Sequence, residues 1–177
     1  MEINQLIKNC QNGDKDAFGQ LVTEYGNYVF SVVFRIVNNE ADAEDISQNV
    51  FVKAWQNIKK YNPEKAKFTT WLYTIAARMS LDYLKTSRKK TELTDVLKSD
   101  VDIEKEIDLK ELGTMIYSAT DQLSEQQKLI FVLRDLEELD VDEVVEITGF
   151  SRKQIKDNLY VARKKVKEKL SRLLKVM

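Results

Sequence analysis

Three groups of side chains in this sequence could do chemistry: the carboxylates Asp42, Glu44 and Asp45, the lone thiol of Cys10, and two clusters of cations. Closely spaced carboxylates can hold a hard metal ion or work as an acid and base pair. Acids also gather at helix N-termini because the dipole there is positive, and that reading fits better, since no second ligand cluster accompanies them. The chain has no histidine, so no imidazole can activate Cys10 or a serine, and the usual zinc ligand sets cannot be assembled. A single cysteine excludes a disulfide within one chain. Cys10 lies in the polar stretch Asn9 to Gly13 and reads as structural or incidental. No glycine loop of the phosphate-cradling kind occurs either. The expectation is a protein that is not an enzyme, with no catalytic residue, no metal and no cofactor.

The cations are more informative. A formal net charge of −1 conceals strong segregation. From Ser151 to Met177, ten Lys or Arg stand against Asp157 and Glu168, a local charge of +8; from Asp121 to Phe150, nine acids stand against Lys128 and Arg134, a local −7. A basic element beside an acidic one suggests a phosphate-facing helix whose neighbour faces something else. The second cluster, Lys85, Arg88, Lys89 and Lys90, follows the aromatic residues Phe68, Trp71, Tyr73 and Tyr83. Cations interleaved with stacking faces suit unpaired bases and their phosphates. The same lysines would also complement the negative end of a helix dipole, and the residues leave both readings open.

The elements that must position these groups are helical. With 43% hydrophobic and 32% charged residues, five glycines and one proline, the composition is that of a soluble helix-rich chain rather than a disordered one. Its 177 residues allow one ordinary domain or two small ones. Phe18, Leu21, Val22, Tyr25, Val29, Phe30, Val33, Phe34 and Val37 recur at three- and four-residue steps, a wide apolar helical stripe. A second helix is expected to start around Asp42 and run through Ile46, Val50, Phe51, Ala54, Trp55 and Ile58. A turn at Tyr61 to Glu64 precedes a third, capped by Thr69 or Thr70 and spanning Trp71 to about Lys85. Thr91 to Leu112 holds eight acids and three lysines among scattered aliphatics, which reads as a solvated linker with some helix towards its end. The expected organisation is therefore all-α: a domain over 1–90, an acidic linker over 91–112, and a second small domain over 113–177.

In that second domain the capping-box signature occurs three times, at Ser124/Gln127, Asp140/Glu143 and Ser151/Gln154, each ahead of an apolar periodic run. The last two helices are joined only through Thr148, Gly149 and Phe150, which makes a helix-turn-helix whose second helix is the basic one. An ordinary helical hairpin with a solvated charged face is the competing reading; the +8 charge, the turn length and the three boxes together favour DNA. Met1 to Gly13 lacks a signal pattern and no run of about 18 apolar residues occurs, so the expected location is cytoplasmic, with no direct membrane insertion. No sustained heptad seam is left over, which predicts a monomer when free.

These motifs resemble the extracytoplasmic-function group of the bacterial sigma-70 superfamily over nearly the whole chain. Asp42 to Trp55 is similar to the group's polymerase-binding helix, Phe68 to Arg78 with Asp82, Tyr83 and Leu84 to its promoter-melting helix, and Leu123 to Gln127, Arg134 to Leu139 and Gly149 to Ser151 to its second DNA-binding domain. The resemblance implies an alternative sigma factor: region 2 binds core RNA polymerase at the clamp helices of the largest subunit and opens the −10 element of promoter DNA, and region 4 reads the −35 element. It implies polymerase contacts at Asp45, Gln48 and Asn49, −10 contacts at Trp71, Tyr73, Arg78, Lys85 and Arg88, and −35 contacts at Lys153, Lys156, Asp157, Tyr160 and Arg163. It also implies an anti-sigma factor as a partner.

The sequence makes four departures from the group's usual pattern: Asn49 for glutamate, Met79 for asparagine, Val145 for alanine, and the pair Asp157-Asn158 for Ser-Arg. The last places an acceptor that suits a cytosine amino group. The alternative reading is a free-standing helix-turn-helix transcriptional regulator, which leaves the first domain, with its acidic helix start and aromatic helix, unexplained.

Overall fold

The computed structural model describes residues 3–93, 115 and 118–174, and the regular elements among them are all helical. The first half comprises α1 (Ile3–Gln11), α2 (Lys15–Val37), α3 (Glu40–Asn57), a 3-10 turn (Ile58–Lys60) and α4 (Phe68–Leu93). Cys10 is fully buried beside Leu6 and Ile7, and burial pushes its thiol pKa up, so it is a core residue.

Local polar side chains set the helix ends. Asp14 caps α2, accepting from the backbone N–H of Asp16 and Ala17 at 2.9 and 3.0 Å. Asn38 closes the helix in the left-handed region at φ 58°, its N–H donating to the Phe34 carbonyl at 2.8 Å. The next residue, Asn39, is extended and caps α3 by accepting from Asp42 N–H at 3.0 Å. α3 thus begins at Glu40 rather than Asp42, because the cap sits upstream of the acids.

α4 also starts earlier than expected, at Phe68, and Thr69 and Thr70 lie inside it. Packing decides this. The Phe68 ring meets Tyr25, Tyr61 and Trp71 at centroid distances of 5.3, 5.4 and 5.7 Å, and the Tyr61 hydroxyl donates to the Ala66 carbonyl at 2.9 Å, closing the loop below. The helix continues through Leu93, so the first three residues of the expected linker belong to it, and the remainder of that linker lies outside the described residues.

In the second half, residues 118–120 are helical and carry buried Ala119 and Thr120. They are followed by α5 (Glu125–Phe131), which runs on into a π turn (Val132–Leu136), then α6 (Val141–Thr148) and α7 (Arg152–Leu173). All three expected capping boxes form, with both reciprocal hydrogen bonds in each. Gly149 ends α6 at φ +71°, donating to the Val145 carbonyl at 2.8 Å, and Ser151 starts α7 two residues later. Leu129, Ile130, Leu133, Ile147 and Ile155 are fully or almost fully buried, each stabilising the fold by about 1.5–3 kcal/mol.

Two hydrophobic clusters result, and the second crosses the halves. Val32 and Ile36 of α2 and Tyr73 and Ala77 of α4 pack with Leu133, Val144 and their neighbours. Val32 and Ile36 extend the stripe expected from the sequence, Val32 three residues past Val29 and Ile36 four past Val32, and α2 gives part of this wide apolar arc to each cluster. α4 does the same. At about 100° per residue, Phe68, Leu72, Ala76, Met79 and Tyr83 share one face and line the first cluster, while Tyr73, Ala77, Leu81 and Leu84 share another and line the second. Trp71, Arg78 and Lys85, spaced by seven, fall on the third.

The Tyr73 hydroxyl donates to Glu137 Oε2 at 3.4 Å, and its pKa is pushed up to about 12 by burial first and then by the Glu137 charge. A folded pKa above the unfolded value of about 10 means that this tyrosine's contribution is complete below pH 10 and lost as pH rises through 12. In denaturant unfolding between pH 9 and 12, the wild type should therefore lose more stability than Tyr73→Phe. At the turn, Gly149→Ala forces a Cβ into the left-handed region and should cost about 1–2 kcal/mol, read as a lower urea midpoint with unchanged slope.

Candidate functional site

Three rows of solvent-facing side chains stand on this scaffold, one each on α3, α4 and α7. On α3, Asp45, Gln48, Asn49 and Val52 follow the i, i+3, i+4, i+7 rhythm and are all exposed, because Ile46, Ser47, Val50, Phe51 and Ala54 occupy the opposite face in the core. The Asn49 amide donates to the Asp45 carbonyl at 2.9 Å, which fixes its rotamer. Gln48 borders a shallow groove lined by Lys15, Phe18, Phe51, Val52 and Trp55. Val52 is 52% exposed, an apolar side chain closing a polar row. Asp42 is turned the other way and accepts from the Tyr83 hydroxyl at 2.5 Å, tying α3 to α4. It is a structural group, and among the described residues no cluster of acids or cysteine is arranged to hold a metal ion.

On α4 the five residues expected near a melted strand divide. Arg78 and Lys85 are exposed, and Trp71 is half-buried, its ring 5.2 Å from that of Tyr61. Tyr73 is only 7% exposed and points into the seam between the halves. The Arg88 side chain lies outside the described residues. The open face of α4 thus offers one indole and two cations in line, while the second indole, Trp55, lines the α3 groove.

On α7, Lys153, Lys156, Asp157, Tyr160 and Arg163 are all exposed along one face, while Ile155, Leu159, Ala162 and Val166 are buried on the other. Tyr160 is 71% exposed, its ring standing out from the row. Three members of the row, Lys153, Asp157 and Arg163, have intramolecular partners. Lys153 Nζ lies 3.4 Å from Asp157 Oδ2, and the Arg163 guanidinium is held by both oxygens of Asp135 at 2.6 and 2.8 Å, which raises its pKa through that hydrogen bond. Arg163 therefore also fastens α7 to the π turn. Arg152 pairs with Asp142, bridging the two helices of the helix-turn-helix.

Sequence reasoning missed Val52, Asp135, Arg35 and Glu137. Val52 was legible in the seven-residue rhythm of α3, whereas the ion pairs Arg163–Asp135 and Arg35–Glu137 join residues far apart in sequence and leave no periodic signal.

Comparison with known proteins agrees with this arrangement. Residues 21–90 match sigma-70 region 2 and residues 114–166 match sigma-70 region 4. The chain is 29% identical over 182 residues to the ECF RNA polymerase sigma-E factor of Haemophilus influenzae, covering 96% of this chain and 95% of the relative. It is 26% identical to the ECF sigma factor SigW of Bacillus subtilis, covering 96% and 97%. Among solved structures, the sigma factor RpoE of Bartonella quintana, crystallised with the anti-sigma factor NepR, superposes with a TM-score of 0.68 at 22% identity, covering 89% of this chain and 98% of that one. CnrH, in complex with the cytosolic domain of CnrY, gives 0.65 at 24% identity, covering 97% and 96%. Two region matches in order, full-length relatives and an all-helical fold with the region 4 helix-turn-helix at its end place the chain in the sigma-70 family, as an alternative sigma factor of the extracytoplasmic-function group that directs transcription initiation.

Proposed function

We propose that the three exposed rows divide the work of initiation among a protein partner and two stretches of promoter DNA. Asp45, Gln48 and Asn49, with Val52 and the adjoining groove, face the clamp helices of core RNA polymerase. Trp71, Arg78, Lys85 and Arg88 engage the melted −10 strand, joined by Tyr73 when the seam opens. Lys153, Lys156, Asp157, Tyr160 and Arg163 read the −35 duplex. The units are region 2 over 1–90, a linker over 91–112 and region 4 over 113–177.

The observation that carries this reading is the α3 row. It is acidic and amide-bearing, ends on an exposed valine, and lies on a different helix from both cationic rows. A DNA-only regulator has no use for such a surface, whereas a protein partner does. The chemistry of the other rows suits their targets: stacking faces and cations for unpaired bases, and a helix-turn-helix with base-reaching side chains in the first turns of α7 for a major groove. The chain itself carries out no covalent step. No helix of the described residues is long and apolar enough to cross a membrane, which supports action in the cytoplasm. A monomeric free form and an anti-sigma partner complete the proposal.

Run-off transcription with core polymerase on a genomic fragment library tests it. Asp45→Ala should weaken core binding by about 1 kcal/mol, roughly fivefold, and lower transcript yield in step, while the equally exposed Glu24→Ala changes neither. Equal yields from both variants would remove the α3 row from the interface. For α7, Lys156→Ala should flatten the salt dependence of holoenzyme binding to promoter duplex by about 0.9 in log–log slope, one phosphate contact, on every promoter alike.

A further inference from the structure

Several polar side chains on the early turns of α7 are already occupied. Gln154 Oε1 accepts from the Ser151 N–H and hydroxyl, both at 2.9 Å, in the capping box. Arg152 is ion-paired with Asp142 of α6. The Asn158 amide donates to the Gln154 carbonyl at 2.8 Å, and Arg163 is held by both oxygens of Asp135. Lys153, Lys156, Asp157 and Tyr160 remain on the outer face, and one of these is an acid. A carboxylate in a row that approaches phosphates costs affinity through repulsion, so its place there needs a gain of another kind.

Helix stability does not supply that gain. Lys153 and Asp157 form an i, i+4 pair with the cation on the N-terminal side, the weaker order for a helix, and their side chains are 88% and 61% exposed, where water screens the attraction. The edge of a base pair does supply it. In the major groove a G·C pair presents two acceptors, guanine N7 and O6, and then a donor, the cytosine N4 amino group. O6 and N4 are joined by one of the pair's own hydrogen bonds, so they lie about 2.9 Å apart. Lys153 Nζ and Asp157 Oδ2 lie 3.4 Å apart, a donor beside an acceptor at nearly the same spacing. They can meet O6 and N4 together while keeping their own ion pair. An A·T pair presents acceptor, donor, acceptor, so a carboxylate that accepts from adenine N6 is brought against thymine O4.

We propose that Lys153 and Asp157 act as one unit that reads a single G·C pair of the −35 element, Lys153 donating to guanine O6 and N7 and Asp157 accepting from cytosine N4. Asp157 is the residue that makes the position exclusive, because the ammonium alone would also accept an adenine N7. This deepens the assignment of α7 to the −35 duplex and rests on it.

The test is run-off transcription by holoenzyme on a promoter library randomised across the −35 element, with a barcode downstream of the start site to report which templates fire. Wild type should favour G·C over the other pairs at one position by about tenfold. Asp157→Ala should remove most of that preference at that position alone, and Lys153→Ala should weaken the same position. Asp157→Asn keeps the size but supplies an amide that pairs with adenine N6 and N7, so the preference there should move to A·T. A moved preference requires a folded, DNA-bound helix, which separates readout from misfolding. Preferences unchanged at every position in both Asp157 variants overturn the reading unit, and so does a wild-type preference for A·T at the position that Asp157→Ala relaxes. The α7 assignment is judged separately by Lys156→Ala. If the reading unit fails, a shallower salt slope in that variant leaves α7 on the −35 duplex, whereas an unchanged slope with no base preference in the randomised element removes that assignment too.

Discussion

The structure depends on α4 being buried on two sides at once. A helix that packs on one core has a solvated back, and its neighbours can be arranged independently of whatever lies behind it. α4 gives one face to α2 and α3, through Phe68, Leu72 and Ala76, and a second to the α5–α7 unit, through Tyr73 and Ala77. What remains is a single narrow face, and Trp71, Arg78 and Lys85 stand on it. Small residues make the double burial possible, since Ala76, Ala77 and Ser80 are fully or almost fully enclosed and let backbones approach from both sides. The hydroxyl of Ser80, between the two cores, is buried with no hydrogen-bond partner among the described residues, a cost that accompanies the double burial.

Charge segregation follows the same division. The −7 of residues 121–150 and the +8 of residues 151–177 would attract one another along their length if both were free. The fold directs them apart: the acids of α6 and the π turn meet Arg35 and Lys67 of the first half, while the α7 cations project outwards. Two exceptions among the described residues, Asp135 with Arg163 and Asp142 with Arg152, join α7 to the acidic stretch before it. An ammonium at Lys128 survives burial because Asp121 sits beside it, though desolvation still lowers its pKa.

The aromatic cluster of Tyr25, Tyr61, Phe68 and Trp71 does for the start of α4 what the capping boxes do for the helices of the second half. It substitutes a tertiary stop for a local one. That is why the threonine caps expected at 69 and 70 are absent while the three boxes at Ser124, Asp140 and Ser151 are present: the boxes close within four residues, and the ring cluster draws on residues more than 40 positions apart.

Helix identity, the three boxes, the helix-turn-helix with its glycine, the charge segregation and the exposed rows of α3 and α7 were legible in the sequence, because capping and periodicity operate over one or two turns and the unaided chain already contains both partners. The motifs also sufficed to recognise the sigma-70 pattern. Only the tertiary structure decided which residues face the other half. Val32 and Ile36 are apolar like their neighbours on α2, Tyr73 carries the same aromatic signal as Trp71, and Glu137 is one acid among nine in its stretch. What sets them apart is a seam whose contacts span 64 to 102 residues, and contacts at that separation leave no repeat for a sequence reading to find.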